Sequence, residues 1–250
     1  HTSCEIGHDK SIGELEKDFD AIFLGIGSTA SNEVKIEGEK SSNVHFAIDF
    51  LTGIQKRNLG NKNAQYINVE DKKVVVIGGG DTAMDCVRTS VREGATSVKC
   101  LYRRDEANMP GSKKEVVNAK EEGVEFVFNV SPKSIKVEND LAVGVELLET
   151  SMSKSDTSGR QKVVLIEGSE YLEDADVIIL ALGFSPEVPS FLKELNVETN
   201  SWGGIVVDSN FKTSNKKVYA GGDCQRGAHL AVTAAVDGRE AAKTIIKELL

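Results

Sequence analysis

Apolar residues recur along this chain with two periods, and the switches between them predict its elements. Residues 73–77 are short, apolar and β-branched, the pattern of a strand buried on both faces. From residue 81 or 82 to about 93 the period becomes helical, and Met84, Val87 and Val91 share one face that can lie on a sheet. Residues 98–102 predict a second strand, 112 to about 122 a charged helix ended by Gly123, and 124–130 a third strand. Residues 133–137, 142–150 and 162–166 read as antiparallel strands, with the hydrophilic stretch 151–160 as a long hairpin tip. Residues 176–181 form another buried strand.

Upstream, residues 11–17 predict a short helix, with Ser11 and Glu14 at capping-box spacing. Residues 19–25 read as a buried strand running into Gly25-Ile26-Gly27-Ser28, and 31–44 as a polar loop. Residues 47–56 are helical in pattern, and 58–71 are a polar connection. Near the end, 205–207 and 218–220 predict short strands, and 230–250 a long alanine-rich helix. That helix starts apolar enough to lie against a cofactor or a core.

The sharpest chemistry lies between the strand at 73–77 and the helix after it. The stretch VVVIGGGDTAMD fits Gly-x-Gly-x-x-Ala, with Gly78, Gly80 and Ala83 in the key places and Gly79 between the first two. Gly78 permits a tight turn, Gly80 lets backbone approach a pyrophosphate, and Ala83 lets the helix pack close to the strand. The helix start then presents free N–H groups to phosphates. At the end of the next strand, where NAD sites often carry an acidic residue, this chain has Arg103 and Arg104. A guanidinium clamps a phosphate through a bidentate fork, at roughly 1.5–3 kcal/mol per contact. The pair therefore predicts NADPH rather than NADH, by about a hundredfold or more.

Composition narrows the class. The chain has 250 residues, 40% hydrophobic and 28% charged, enough for one large or two modest domains. A net charge of −9 argues against nucleic acid as a general partner, and no apolar run reaches the roughly 20 residues that span a membrane. Cys4, Cys86, Cys100 and Cys224 are scattered, so neither a metal site nor a Cys-x-x-Cys redox pair is expected. Four buried thiols in a reducing cytoplasm are expected instead. The polar start, His1-Thr2-Ser3-Cys4, predicts a chain cut from something longer.

Four stretches together resemble the NADPH-dependent glutamate synthase small (β) subunit family: GGGDTAMDCVRTSVREGA, YRRDEANMPGSKKEV, ADVIILALGFSP and AGGDCQRGAHLAVTAAVDGREAA. They resemble more loosely the matching part of dihydropyrimidine dehydrogenase. The resemblance implies an α/β fold of two nested Rossmann-like domains that bind FAD and NADPH. Residues 1–44 and 185–250 would be two segments of the FAD domain, and 45–184 the inserted NADPH domain. It also implies that NADPH reduces FAD and that electrons leave through iron–sulfur clusters to the glutamate synthase large subunit.

Carried over by residue, Gly80, Asp81 and Thr82 would meet the NADPH pyrophosphate. Arg103 and Arg104 would meet the 2′-phosphate, with Lys113 as a third candidate, and Gly183 would pass the nicotinamide half. Gly222 and Asp223 match a second FAD motif, Thr233 a backbone N–H donor to the flavin ring, and Gly27 a strand end beside FAD. The first FAD βαβ unit and the cysteine-rich domain that holds the family's iron–sulfur clusters have no counterpart in these residues. NADPH binding is expected to survive that difference; tight FAD binding is not. No side chain is expected to act as acid or base, because the cofactors carry the chemistry. A stand-alone NADPH-dependent oxidoreductase with another acceptor, or a non-catalytic NADPH-binding fragment, are the alternatives.

Overall fold

The capping box at Ser11 and Glu14 forms as the spacing predicts and starts helix α1, Ile12–Asp18. Each partner satisfies the other's orphan amide. The computed structural model describes residues 1–154 and 161–250 and divides into two units, His1–Asn32 with Phe184–Leu250 and, inserted between them in sequence, Glu33–Gly183. The first segment of unit 1 continues with strands β1 (Ile22–Leu24) and β2 (Ala30–Ser31). The strand expected over 19–25 is thus shorter, and Phe19 and Phe23 on it are exposed.

Unit 2 opens with β3 (Val44–Phe46), α2 (Ala47–Asn58) and β4 (Lys73–Ile77). Then come α3 (Asp81–Arg92), β5 (Ser97–Tyr102), α4 (Lys113–Glu121) and β6 (Glu125–Phe128), so strand and helix alternate with right-length connections for a parallel sheet. Four strands follow, β7 (Val130–Glu138), β8 (Leu141–Met152), β9 (Val163–Leu165) and β10 (Tyr171–Asp174), before β11 (Val177–Leu180) returns to the first sheet.

The parallel sheet has the order β3-β11-β4-β5-β6. Its central strands β4 and β11 are apolar on both faces because both faces are covered. Val74 and Val76 of β4 face Phe50, Met84, Val87 and Val116 on the helices. Val75 and Ile77 face Val130, Ile135, Val145 and Leu147 of the antiparallel strands. Burying one such side chain contributes about 1.5–3 kcal/mol. The antiparallel sheet runs β10-β8-β7, with β9 also on β8. Met152 pairs with Val163 where the predicted hairpin closes; residues 155–160 of its expected tip lie outside the described residues. Strand β10 was not predicted, because Tyr171-Leu172-Glu173-Asp174 is half acidic and becomes a strand by pairing with β8.

The junction between the units lies before Glu33 rather than near residue 44, because Val34, Ile36 and Val44 pack on the unit 2 core. Unit 1 resumes with β12 (Phe184–Ser185), which pairs antiparallel with β2, and α5 (Phe191–Glu194). Strand β13 (Val218–Ala220) pairs parallel with β1, α6 (Asp223–Arg226) follows at once, and α7 (Ala231–Leu249) ends the chain. Residues 205–207 do not form the expected strand. Ile205 makes a single bridge to Thr199, and its side chain serves the unit 1 core with Leu24, Phe191 and Val218.

Three thiols are buried, but Cys4 is exposed, which corrects the expectation of four buried ones. It sits in the irregular start of the chain, where nothing packs over it. Among the described residues no helix is long and apolar enough to cross a membrane, and no group of three or more His, Cys, Asp or Glu could hold a metal.

Candidate functional site

In unit 2 the parallel sheet reverses its direction of growth at β4, which has β5 on one side and β11 on the other. The carboxyl end of such a strand is where open α/β sheets form their ligand crevice. The three glycines stand there, and each has a different reason. A Cβ on Gly78 would lie 2.2 Å from the Ala181 carbonyl oxygen. A Cβ on Gly79 would lie 2.4 Å from the Tyr102 ring. A Cβ on Gly80 would meet nothing within 4 Å. The first two glycines are therefore required by the protein's own packing, while Gly80 borders open space.

Gly80 is also the N-cap of α3, with extended backbone and no side-chain cap. Its carbonyl accepts from Ala83 at 2.9 Å and Met84 at 3.2 Å. Among the described residues the N–H groups of Gly80, Asp81 and Thr82 have no partner, as expected for a first turn without i−4 carbonyls. Ala83 is fully buried against the sheet, as its small size requires.

Arg103 and Arg104 follow β5 directly, next to the glycine turn, since Ile77 of β4 pairs with Leu101. Their main chain is fixed from the antiparallel side. The Thr150 hydroxyl donates to the Arg103 carbonyl at 3.0 Å, and the Asn129 N–H donates to the Arg104 carbonyl at 3.1 Å. Among the described residues neither guanidinium meets a carboxylate, and the Arg104 Nε is buried without a hydrogen-bond partner. A buried guanidinium N–H left unpaired is costly, and an anionic ligand would satisfy it.

Tyr102 covers Gly79, and its hydroxyl donates to the Asn108 carbonyl at 2.9 Å. Partial burial raises the Tyr102 pKa, so the phenol stays protonated as that bond needs. The Asp105 carboxylate accepts from the Asn108 N–H at 2.9 Å and Nδ2 at 2.8 Å. Further on, the Gly111 N–H donates to the Gly79 carbonyl at 3.0 Å, and the Ser112 N–H donates to Asp81 Oδ1 at 2.7 Å. Lys113, exposed, opens α4 beside this last bond.

The unit 2 candidates lie on neighbouring segments: Gly78, Gly79, Gly80, Asp81 and Thr82 on the turn and the start of α3, Arg103 and Arg104 just past β5, and Lys113 at the start of α4. Gly183, left-handed at φ +81, ends the unit shortly after Ala181. An unsubstituted turn, uncommitted amides and an unpaired buried Nε on half-buried Arg104 fit a dinucleotide with an extra phosphate. Sequence reasoning missed Tyr102, Asn108, Gly111 and Ser112. Only the adjacency of Tyr102 to the arginines and the glycine before the helix hinted at them.

Unit 1 gathers the other candidates. The Ser28 hydroxyl donates to the Asp223 carbonyl at 3.0 Å, which ties the Gly27 turn to the Gly222-Asp223 turn. Gly222 is left-handed at φ +76, and a Cβ there would lie 3.3 Å from the Ala234 Cβ of α7. Asp223 receives one long contact, from the His229 N–H at 3.3 Å, so its carboxylate keeps acceptor capacity. The Thr233 N–H already donates to the Leu230 carbonyl at 2.9 Å, and its hydroxyl meets His229 Nδ1 at 2.8 Å. Among the described residues the free first-turn amides of α7 belong to Ala231 and Val232. Asp237, which the sequence did not single out, is buried and holds the turn. It accepts from the Gly222 N–H at 2.9 Å and from Arg226 Nε at 2.9 Å. An acceptor carboxylate, a held glycine turn and an apolar helix start fit part of a flavin site.

A family model described as pyridine nucleotide-disulphide oxidoreductase matches residues 3–238. The glutamate synthase [NADPH] small chain of Escherichia coli (strain K12) is 46% identical, over 99% of this chain and 54% of its own length. The NADPH-Fe(3+) oxidoreductase subunit beta of Geobacter sulfurreducens is 34% identical, over 98% of this chain and 39% of its own. This chain therefore spans about half, or less, of such relatives. Among solved structures, Mycobacterium tuberculosis FprA in complex with NADPH has a TM-score of 0.80 at 18% identity, covering 98% of this chain and 67% of that one. At that identity the likeness concerns the fold.

Proposed function

From a chain that belongs to the pyridine nucleotide-disulphide oxidoreductase family, we infer the electron-input part of a flavin-dependent oxidoreductase. Unit 2 is its NADPH-binding domain, and unit 1 contributes to its FAD-binding domain. When bound, the coenzyme pair would supply the redox chemistry, a hydride transfer from NADPH to FAD. The chain's own residues bind and orient. The first-turn amides of α3 receive the pyrophosphate across Gly80, Arg103 and Arg104 receive the 2′-phosphate, and Asp223 and the start of α7 face the flavin. Gly27 and Thr233 border the flavin, and Gly183 the nicotinamide. The whole protein works as a glutamate synthase small chain in the cytoplasm, passing electrons through iron–sulfur clusters to a large subunit.

The observation that carries this reading is the unpaired buried Nε of Arg104, on the residue pair that ends β5, the neighbour of the strand leading into the open turn at Gly80. A guanidinium N–H buried without an acceptor fits a phosphate ligand better than a solvated surface turn. The test is titration calorimetry of the chain with NADPH and NADH, repeated on Arg103→Ala and Arg104→Ala. Each substitution is expected to weaken NADPH by roughly tenfold to a hundredfold and to leave NADH nearly unchanged. Equal affinity of the unaltered chain for the two coenzymes would refute the coenzyme assignment. The flavin part is tested by the visible spectrum with FAD supplied, where a bound band that bleaches on anaerobic NADPH is the expected result for the intact reductase.

A second reading replaces the glutamate-forming partner with another electron acceptor. The similarity to an NADPH-Fe(3+) oxidoreductase subunit favours it. Capture of a large glutamate synthase subunit by the protein decides for the first reading.

A further inference from the structure

Asp81 stands at the first position of α3, among the amides that a pyrophosphate would use. A free carboxylate there would repel the phosphates it is supposed to meet. It is not free: Oδ1 accepts the N–H of Ser112, 31 residues on, at 2.7 Å. The neighbouring bond, Gly111 N–H to Gly79 carbonyl, runs between the same two segments at 3.0 Å. The approach is close, since a Cβ on Gly111 would lie 3.1 Å from the Gly79 oxygen. The chain from Tyr102 to Ser112 is thus closed onto the glycine turn at both ends, by the Tyr102 ring on Gly79 at one and by Asp81 at the other.

The two ends are held differently. The main chain of Arg103 and Arg104 is anchored by Thr150 and Asn129, away from Asp81. The far end, where Ser112 hands over to Lys113, is hydrogen-bonded to the turn by Gly79 and Asp81, and α4 beyond it is tied to α3 by the Arg88–Glu115 ion pair and by Val116 in the core. We propose that the Asp81 side chain is a positioning group for coenzyme selection: through Ser112 it holds Lys113 and the end of the arginine loop against the glycine turn, and its carboxylate does not itself bind the pyrophosphate. The proposal rests on the NADPH reading. It deepens that reading by making the cationic site one assembled from a strand end and a latched helix start, already organised before the coenzyme arrives.

Three variants of the full chain test it by calorimetric titration with NADPH and NADH, each checked first for an intact melting transition. Asp81→Ala removes the acceptor. Asp81→Asn keeps an acceptor oxygen. Ser112→Pro removes the donor from the other side, at a residue whose φ of −55 suits proline. Asp81→Ala and Ser112→Pro are expected to lose about tenfold in NADPH affinity with NADH nearly unchanged, and Asp81→Asn to stay close to the unaltered chain. Equal weakening toward both coenzymes, tighter binding, or no change in Asp81→Ala overturns the proposal. If that variant does not fold, Ser112→Pro decides by the same criterion. Equal affinity of the unaltered chain for NADPH and NADH defeats the underlying coenzyme reading, and the proposal with it.

Discussion

Gly78 and Ala181 meet backbone against missing side chain: a Cβ on Gly78, whose φ is +148, would lie 2.2 Å from the Ala181 carbonyl oxygen. Neither side can give way easily, because Ala181 donates its N–H to the Ile77 carbonyl at 2.9 Å and Gly78 donates its own to Leu101 at 3.0 Å. Gly78→Ala is therefore expected to destabilise the chain by more than about 2 kcal/mol, from backbone strain and overpacking together. Urea unfolding measures it, and a midpoint within error of the parent would contradict this packing.

Gly80 should behave in the opposite way. Its backbone lies at φ −89 and ψ −179, which any residue adopts, and a Cβ there meets nothing within 4 Å. Gly80→Ala should leave stability within about 1 kcal/mol, helped by a stiffer unfolded chain. NADPH affinity should fall by at least about tenfold, because the added methyl occupies the approach to the α3 amides. Lost stability with retained binding would reverse the assigned roles of the two glycines.

The helix pair α3 and α4 carries a pH-dependent tie. Arg88 donates to Glu122 through Nε at 3.0 Å and Nη2 at 2.7 Å, and Arg92 adds a bond at 2.7 Å. Hydrogen bonds from Arg88, then Arg92, pull the Glu122 pKa from 4.5 to about 2. A depressed folded-state pKa stabilises the fold above the unfolded value and loses that contribution as pH falls through the folded one. Stability should thus fall between pH 4.5 and about 2. Glu122→Gln should melt lower than the parent at neutral pH and converge with it at the acid end. Parallel melting curves across that range would remove Glu122 from the account.

Thiol chemistry separates the one exposed cysteine from the others. Burial pushes Cys86 and Cys224 up in pKa and Cys100 up to about 12, so these thiols stay protonated and covered. Cys100 also donates to the Gly78 carbonyl at 3.3 Å, behind the glycine turn. Brief alkylation of the native chain at neutral pH should modify Cys4 alone, with all four cysteines reacting after denaturation. Labelling of Cys100 at the rate of Cys4 would show that the turn opens in solution.

Much of this was legible in the residues. A β-branched run, three glycines and a helical repeat sit next to one another in the chain, so β4, the turn and α3 follow from local sterics and periodicity. The arginine pair was legible for the same reason, since it directly ends β5. What depended on partners distant in sequence was not. Tyr171–Asp174 becomes a strand only against β8, residues 205–207 give up strand pairing to a core contact, and residues 33–44 join unit 2 through Val34 and Ile36. The sequence by itself determined that a glycine turn between β4 and α3 and a cationic strand end exist. Only the tertiary structure decided that Gly78 and Gly79 serve packing while Gly80 faces open space, and that Asp81 is spent on Ser112. Those roles depend on distances between backbone atoms that folding alone brings together, and no local pattern encodes them.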